Sequence, residues 1–186
     1  GGRFLLKPQA LTFPMLPENE HLTTRIATLV DIVISPCALV TLRDGTLAFL
    51  AARFDRSDAG GKHRVEDFCQ LSGKSPKDKY ESSTEQCAQL VAEFASEPLI
   101  ELLMLFRRFL FAWWVGDGDL HLKNLSLITD SDGRHRLSPA YDLVNTQLLI
   151  PNDTLALPVG GKKAGLTRRS WLEFAAYCNI PPRAAA

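Results

Sequence analysis

The segment GDGDLHLKN, Gly116 to Asn124, sets two aspartates, a histidine, a lysine and an asparagine directly after the apolar run FLFAWWV. Asp119 and Asn124 stand five residues apart. A D-x-x-x-x-N loop does two tasks in phosphoryl transfer. The aspartate takes or orients the proton of the attacking hydroxyl, and the asparagine amide oxygen helps hold Mg²⁺ on the phosphates. That spacing is common by chance, so its weight depends on what else the chain supplies and in what order.

A second carboxylate should follow, past a short hairpin, as the main metal ligand. Asp142 in SPAYDL has that place. A lysine on an early strand should meet the α- and β-phosphates, and Lys7 ends the first strand-like run, RFLLK. An acidic residue on the next helix should hold that lysine; Glu18 and Glu20 are both candidates, with a slight preference for Glu20. Asp117, Asp119 and Asp142, if brought together, would repel one another. A divalent cation relieves that repulsion and suits hard oxygen ligands. The competing reading is that Asp117 and Asp119 merely cap a polar turn leaving an apolar helix.

Such groups need elements to carry them. RFLLK is expected as a strand cut short by Pro8. From Glu18, the apolar residues Leu22, Ile26, Leu29 and Val33 recur at helical spacing, and Glu18 and Glu20 suit the positive first turn. CALVTL and TLAFLAARFD flank an Asp-Gly pair, a hairpin signal. RSDAGGK reads as a loop or lobe junction, VEDFCQLSG as a short helix ended by Gly73, and KSPKDKYESS as polar loop. Ser83 with Gln86 is a capping-box pattern that opens the helix TEQCAQLVAEFA. Pro98 to Val115 is expected as a long core helix. LSLIT and RHRLSP flank DSDG as a second hairpin, and RRSWLEFAAYC reads as a final helix stopped at Pro181-Pro182. This order predicts an α+β fold in two lobes: a small β-rich lobe over 1–55 and a larger helical lobe over 56–186. A nucleotide cleft would lie between them.

Bulk composition is compatible with this. The chain has 186 residues, 46% of them apolar, enough for one domain with a core or two small lobes sharing a cleft. Its 21 basic and 21 acidic residues balance, which argues against a broad electrostatic footprint on nucleic acid or an acidic membrane. The four cysteines form no CxxC pair, so buried thiols in a reducing cytosol are expected rather than a disulfide framework or a zinc site. Glu101, Arg107 and Arg108 make Pro98 to Val115 a poor membrane span. The chain opens on a strand-like run with no initiator Met, which reads as part of a longer product.

FLLKP, LPENE, ARFDR, HRVEDFCQLSG, GDGDLHLKN, LSPAYDL and LPVGGKKAGLTRRSWLEFA run in order and cover nearly the whole chain. Together they resemble the HipA family of bacterial serine/threonine kinases, the toxins of HipBA-type toxin–antitoxin systems. The resemblance implies a protein-kinase-like fold and an ATP- and Mg²⁺-dependent protein kinase. It makes Asp119 the catalytic base, Asn124 and Asp142 the metal ligands, and Lys7 the phosphate-binding lysine. The backbone at Ala52, Arg53 and Phe54 becomes the adenine hinge, and Tyr141 and His121 line the nucleotide and catalytic site. The implied partner is a helix-turn-helix antitoxin of the HipB type, with DNA reached only through it. The implied target is a translation component, an aminoacyl-tRNA synthetase, in the cytoplasm. The sequence departs from the family pattern at Asp117, where Asn is usual, at Leu120, where a second Asp is frequent, and at Ala52, where Glu is common. The family's glycine-containing phosphate loop and N-terminal subdomain would lie before Gly1.

The remaining residues divide less sharply. His121 is read as structural or phosphate-facing rather than as a metal ligand, because no second His stands at ligand spacing. Lys123 is a candidate for stabilising the transferring phosphate, with a solvated lysine as the equal alternative. Lys162 and Lys163 read as a solvated loop, and Trp113 and Trp114 as packing. Two other functions compete. GDLHLKN also resembles the loop of aminoglycoside and choline kinases, which would make the chain a small-molecule phosphotransferase; SPAYDL in place of their metal motif favours the protein kinase. An inactive binding module is the third, opposed by intact Lys7, Asp119, Asn124 and Asp142.

Overall fold

The structure, a computed structural model, describes residues 2–57 and 61–185. Part of RSDAGGK, expected as a lobe junction, lies at 58–60, outside the described residues. The N-terminal part is a three-stranded antiparallel sheet in the order β1 (Phe4–Pro8), β3 (Leu47–Ala52), β2 (Cys37–Thr41). Lys7 pairs with Phe49, and Cys37 with Ala51. The β2–β3 connection closes through Leu42 N–H to Thr46 O at 2.8 Å, with Gly45 in the left-handed region at φ 83°. That is the geometry an Asp-Gly turn permits.

Helix α1 (Leu16–Thr28) packs on β3 and begins two residues before Glu18, with Pro17 in its first turn. Two expectations fail here. The helix ends at Thr28, so Leu29 and Val33 lie beyond it. Its buried face carries Glu20, Thr23, Thr24 and Ala27, while Leu22 is exposed. The apolar repeat therefore marks the outer side of α1, and its polar side faces inward to serve the cleft.

The C-terminal part has a second antiparallel sheet, in the order β4 (Arg64–Asp67), β5 (Ser126–Thr129), β6 (His135–Leu137). VEDFCQLSG is thus half strand and half helix. Its first half pairs with β5, and only Phe68–Leu71 turns, as α2, capped by a reciprocal Asp67–Gln70 box. The polar loop that follows contains a 3₁₀ turn at Pro76–Asp78. Helix α3 (Thr84–Phe94) starts at Ser83, whose hydroxyl accepts from the Gln86 N–H. Helix α5 (Arg168–Tyr177) ends before Pro181, but Pro182 opens a further short helix, α6 (Pro182–Ala185), instead of ending structure.

Between these parts runs α4 (Pro98–Val115). Leu102, Leu105, Phe106 and Phe109 join the main core, where Leu105, Leu122 and Leu125 are fully buried. Each such leucine contributes about 2 kcal/mol through burial. Phe111, on another side of α4, packs with Ala27, Ile32, Ala140 and Leu143, joining α1 to the helical part. The charges that spoiled α4 as a membrane span have structural uses. Glu101 accepts the Leu137 N–H at 2.9 Å, and Arg108 donates to the Ser138 carbonyl, so both hold the β6 end. No helix among the described residues is long and apolar enough to cross a membrane. Trp113 packs on Trp171 with ring centres 5.6 Å apart, whereas Trp114 is largely exposed, against expectation. All four cysteines are free thiols, and Cys69, Cys87 and Cys178 are buried.

Candidate active site

The catalytic-type loop is fixed at both ends by apolar anchors. Gly116, at φ 73°, stops α4, and the Asp117 N–H returns to the Ala112 carbonyl at 2.8 Å. Leu120, Leu122 and Leu125 then plunge into the core between the polar residues. The polar burst is therefore held on leucine pegs, and a 3₁₀ turn at Leu122–Asn124 closes it. The Asn124 amide nitrogen donates to the Asp119 carbonyl at 2.9 Å, which turns its amide oxygen away from that carbonyl. Thr146 braces the other side: its hydroxyl accepts the Gly118 N–H at 2.7 Å and donates to Asp153. Gly118 is required there, because a Cβ would come within 2.6 Å of the Thr154 carbonyl.

Asp117 is buried beneath this loop. Its Oδ1 accepts the Asp119 N–H at 2.9 Å, while its Oδ2 has no partner. Burial pushes its carboxyl up to about 7, and the backbone N–H groups of Asp119 and Val144 offset this only in part. Asp117 is a brace beneath the loop, where an uncharged Asn would do the same work.

Lys7, Glu20 and Asp142 converge. The Lys7 ammonium donates to Glu20 Oε1 at 2.6 Å and also to Asp142. Of the two acidic candidates on α1, only Glu20 reaches the lysine; one Glu18 carboxylate oxygen is buried without a partner. Burial alone would lower the Lys7 pKa, but the two carboxylates more than offset it and the net direction is up. Burial pushes Glu20 up against the pull of Lys7. Asp142 has a left-handed backbone at φ 55°, a conformation a non-glycine residue holds at a cost of about 1 kcal/mol. Two hydrogen bonds between Asn19 and the Asn145 backbone, at 2.8 and 2.9 Å, tie α1 to the segment after it.

Asp119 lies beside this group, its side chain half exposed. The Tyr80 hydroxyl donates to its Oδ1 at 2.6 Å, and His121 Nε2 is 3.9 Å from the same oxygen. His121 is buried with Nδ1 unpartnered, and burial lowers its pKa despite the nearby Asp119 carboxylate. Lys123 does not join Asp119. Its ammonium meets Asp67 Oδ2 at 2.7 Å, in a cleft that Asp119 does not line. The reading of Lys123 as a group at the transferring phosphate is not favoured by this placement, since Asp67, the cap of α2, holds it elsewhere.

Two clefts meet at the lysine. One, of about 470 Å³, is lined by Phe49, Ala52, Phe54, Tyr141 and Lys123. The other, of about 710 Å³, is lined by Tyr80, Gly118, Asp119 and Asp153. Lys7, Glu20 and Asp142 wall both. In the first cleft, Tyr141 and Phe54 stack obliquely, ring centres 5.4 Å apart, and the Tyr141 hydroxyl donates to the Lys123 carbonyl at 2.9 Å. The N–H groups of Ala52 and Arg53 are already donated, to Pro36 O at 2.8 Å and Arg3 O at 2.9 Å. Those two N–H groups are therefore not available to a base edge in the way the hinge expectation requires of them. The Arg53 side chain pairs with Asp55, away from that role.

Among the described residues no three His, Cys, Asp or Glu side chains form a metal-binding group. A hard cation such as Mg²⁺ would therefore need oxygens beyond carboxylates for its shell, an amide such as that of Asn124 with phosphates and water besides Asp142. Sequence reasoning missed Tyr80, Asp67 and Asn19. The first lay in a stretch read as polar loop, and the second in a segment read as helix.

A small antiparallel sheet with one helix, set on a helical part that carries a D-x-x-x-x-N loop and a later Asp, defines a protein-kinase-like α+β fold. The chain belongs to the HipA-like C-terminal domain family, whose model matches residues 1–186. A Haemophilus influenzae protein named "Putative kinase" is 32% identical over 181 residues, covering 88% of this chain and 52% of its own length. Sinorhizobium fredii Y4dM, also named a "Putative kinase", is 33% identical over 194 residues, covering 97% of this chain and 47% of its own. The chain thus spans about half the length of these relatives. Among solved structures, the HipA complex with HipB and operator DNA from Shewanella oneidensis superposes with a TM-score of 0.87 at 21% identity, over 100% of this chain and 48% of that one. The Helicobacter pylori proinflammatory kinase CtkA superposes with a TM-score of 0.70 at 13% identity, over 98% of this chain and 76% of that one. At these identities the two superpositions establish the fold.

Proposed function

We infer that this chain is the kinase core of an ATP- and Mg²⁺-dependent serine/threonine protein kinase of a toxin–antitoxin system, with an N-lobe over 1–55 and a C-lobe over 56–186. The observation that carries the reading is the shared wall of Lys7, Glu20 and Asp142, with Asp119 in one adjoining cleft and Phe54 and Tyr141 in the other. A nucleotide in the first cleft would bring its terminal phosphate to that wall. A hydroxyl in the second would approach from the Asp119 side.

In the transfer, the acceptor oxygen forms a bond to the γ-phosphorus as the bond to the ADP oxygen breaks, and the acceptor proton passes to Asp119. Lys7, held by Glu20, offsets charge on the phosphates. Asp142 and Asn124 would hold the metal, which when bound neutralises phosphate charge. His121 lines the reacting end and the Phe54 backbone orients the base. Lys123 takes the nucleotide side. The family and the HipB-bound neighbour support a HipB-type helix-turn-helix antitoxin as partner, DNA contact through it, and a cytoplasmic setting. The family also points to an aminoacyl-tRNA synthetase as the phosphorylated target.

The test is transfer of label from γ-labelled ATP to protein in bacterial lysate, comparing the wild type with Asp119→Asn and Asp142→Asn. A few labelled bands, absent with both variants, are expected. Equal labelling by Asp119→Asn would remove Asp119 as base. Transfer to aminoglycosides or choline with none to protein would replace the reading with a small-molecule phosphotransferase.

A further inference from the structure

Tyr80 belongs to a segment, Lys74 to Glu81, that is tied down along its length. The Lys74 N–H donates to the Cys69 carbonyl at 2.8 Å, and a 3₁₀ turn at Pro76–Asp78 follows, capped by Ser75. The Leu122 N–H, from inside the catalytic-type loop, donates to the Lys79 carbonyl at 3.1 Å. The next residue, Tyr80, sets its ring edge-on to His121 at 5.1 Å and 70°. Its hydroxyl ends on Asp119 Oδ1 at 2.6 Å. That length is at the short end for a hydroxyl donating to a carboxylate oxygen. One backbone bond from Lys79, and one ring contact and one short hydroxyl–carboxylate bond from Tyr80, thus join this pair of residues to three residues of the loop.

An aspartate whose side chain is about half exposed has little else to fix its carboxylate plane. A base must present one particular oxygen to the incoming proton, and a small error of placement is costly in rate. With Oδ1 occupied by the phenol, Oδ2 is the oxygen left for an acceptor. We propose that Tyr80 is a positioning residue that pins the Asp119 carboxylate so that one oxygen faces the acceptor hydroxyl. This rests on the kinase reading above and adds a residue from outside the catalytic-type loop. Burial and the Asp119 carboxylate push the phenol up to about 12, so it remains a donor across the physiological range.

The test is Tyr80→Phe, which keeps the ring against His121 and removes only the hydroxyl. Initial rates of label transfer from γ-labelled ATP into lysate protein give kcat and the KM for ATP, and thermal shift with Mg-ATP gives nucleotide affinity. We expect kcat to fall roughly tenfold, the loss typical of one hydrogen bond to a charged group. The KM for ATP and the thermal shift should stay within about twofold of wild type, since Tyr80 is outside the nucleotide cleft. A kcat equal to or above wild type would overturn the proposal; a rise would mean that the phenol obstructs the acceptor. A fall in kcat matched by a loss of nucleotide affinity would also overturn it, by making Tyr80 a support of the fold. Wild-type chain that binds Mg-ATP but labels nothing would end the kinase reading itself, a result separate from any difference between the two chains.

Discussion

Asp142 accepts from the ammonium of Lys7 across 135 residues of chain, and Glu20 accepts from the same ammonium. The lysine thus bolts the N-terminal sheet to the helical part, in addition to any part it plays toward a nucleotide. Removing it leaves the buried Glu20 carboxylate without its cation. Lys7→Met should cost about 2 kcal/mol in urea unfolding, less than a fully buried pair because Lys7 and Asp142 keep contact with water. Adding Glu20→Gln to Lys7→Met should recover most of that loss, because the stranded charge is then gone.

Gly118 leaves no room for a side chain. Gly118→Ala would drive a methyl into the Thr154 backbone carbonyl and the Asp153 carboxylate, and the latter cannot withdraw without releasing Thr146. A loss of about 2 kcal/mol or more is expected, the usual cost of overpacking. Transfer activity should fall even where the variant remains folded, since the displaced backbone carries Asp119. Thermal unfolding and labelled-ATP transfer on the same preparation separate the two effects.

Asp117 makes stability depend on pH. Its folded pKa, about 7, is raised above the ordinary value of 3.8. The fold therefore favours the protonated form. That contribution is full below pH 4 and is lost as pH rises through about 7. Asp117→Asn should remove this dependence. The stability of the variant relative to wild type should improve between pH 4 and pH 8 by about 4 kcal/mol, as measured by denaturant midpoints at each pH. A difference that stays flat with pH would show that Asp117 is already ionised in the fold.

Lys123 should report on the nucleotide instead of on chemistry. It sits with Asp67 in the cleft lined by Phe54 and Tyr141. Lys123→Ala should raise the KM for ATP by roughly three- to tenfold and change kcat less, the pattern of lost uniform binding. A kcat collapse at unchanged KM would return Lys123 to the transferring phosphate.

What could be read from the sequence follows from how local each signal is. The long α4, the β5–β6 hairpin and the Ser83 cap are written within a few residues and appear where expected. β4 was missed because its partner lies some sixty residues downstream, and nothing within VEDF announces that pairing. α1 was given the wrong inner face because periodicity registers hydrophobicity, whereas this helix turns Glu20 and two threonines inward. Around the site, sequence order singled out Asp119 and Asp142, which line one cleft with Lys7, and Asn124, which bonds the Asp119 carbonyl. Tyr80 left no such trace. Its contact with Asp119 spans 39 residues and is made by a side chain in a stretch whose composition is that of ordinary surface.

The wall common to the two clefts has a consequence for how they fill. A molecule in either one must come to terms with the same lysine and the same pair of carboxylates. Occupancy of one cleft therefore alters the electrostatic welcome in the other, and by linkage the influence is mutual and equal in free energy. A ligand that draws Lys7 away from Asp142 frees that carboxylate for a cation, and a cation on Asp142 loosens the lysine for an anion. Three side chains shared by both walls would suffice for the two chambers to report on each other.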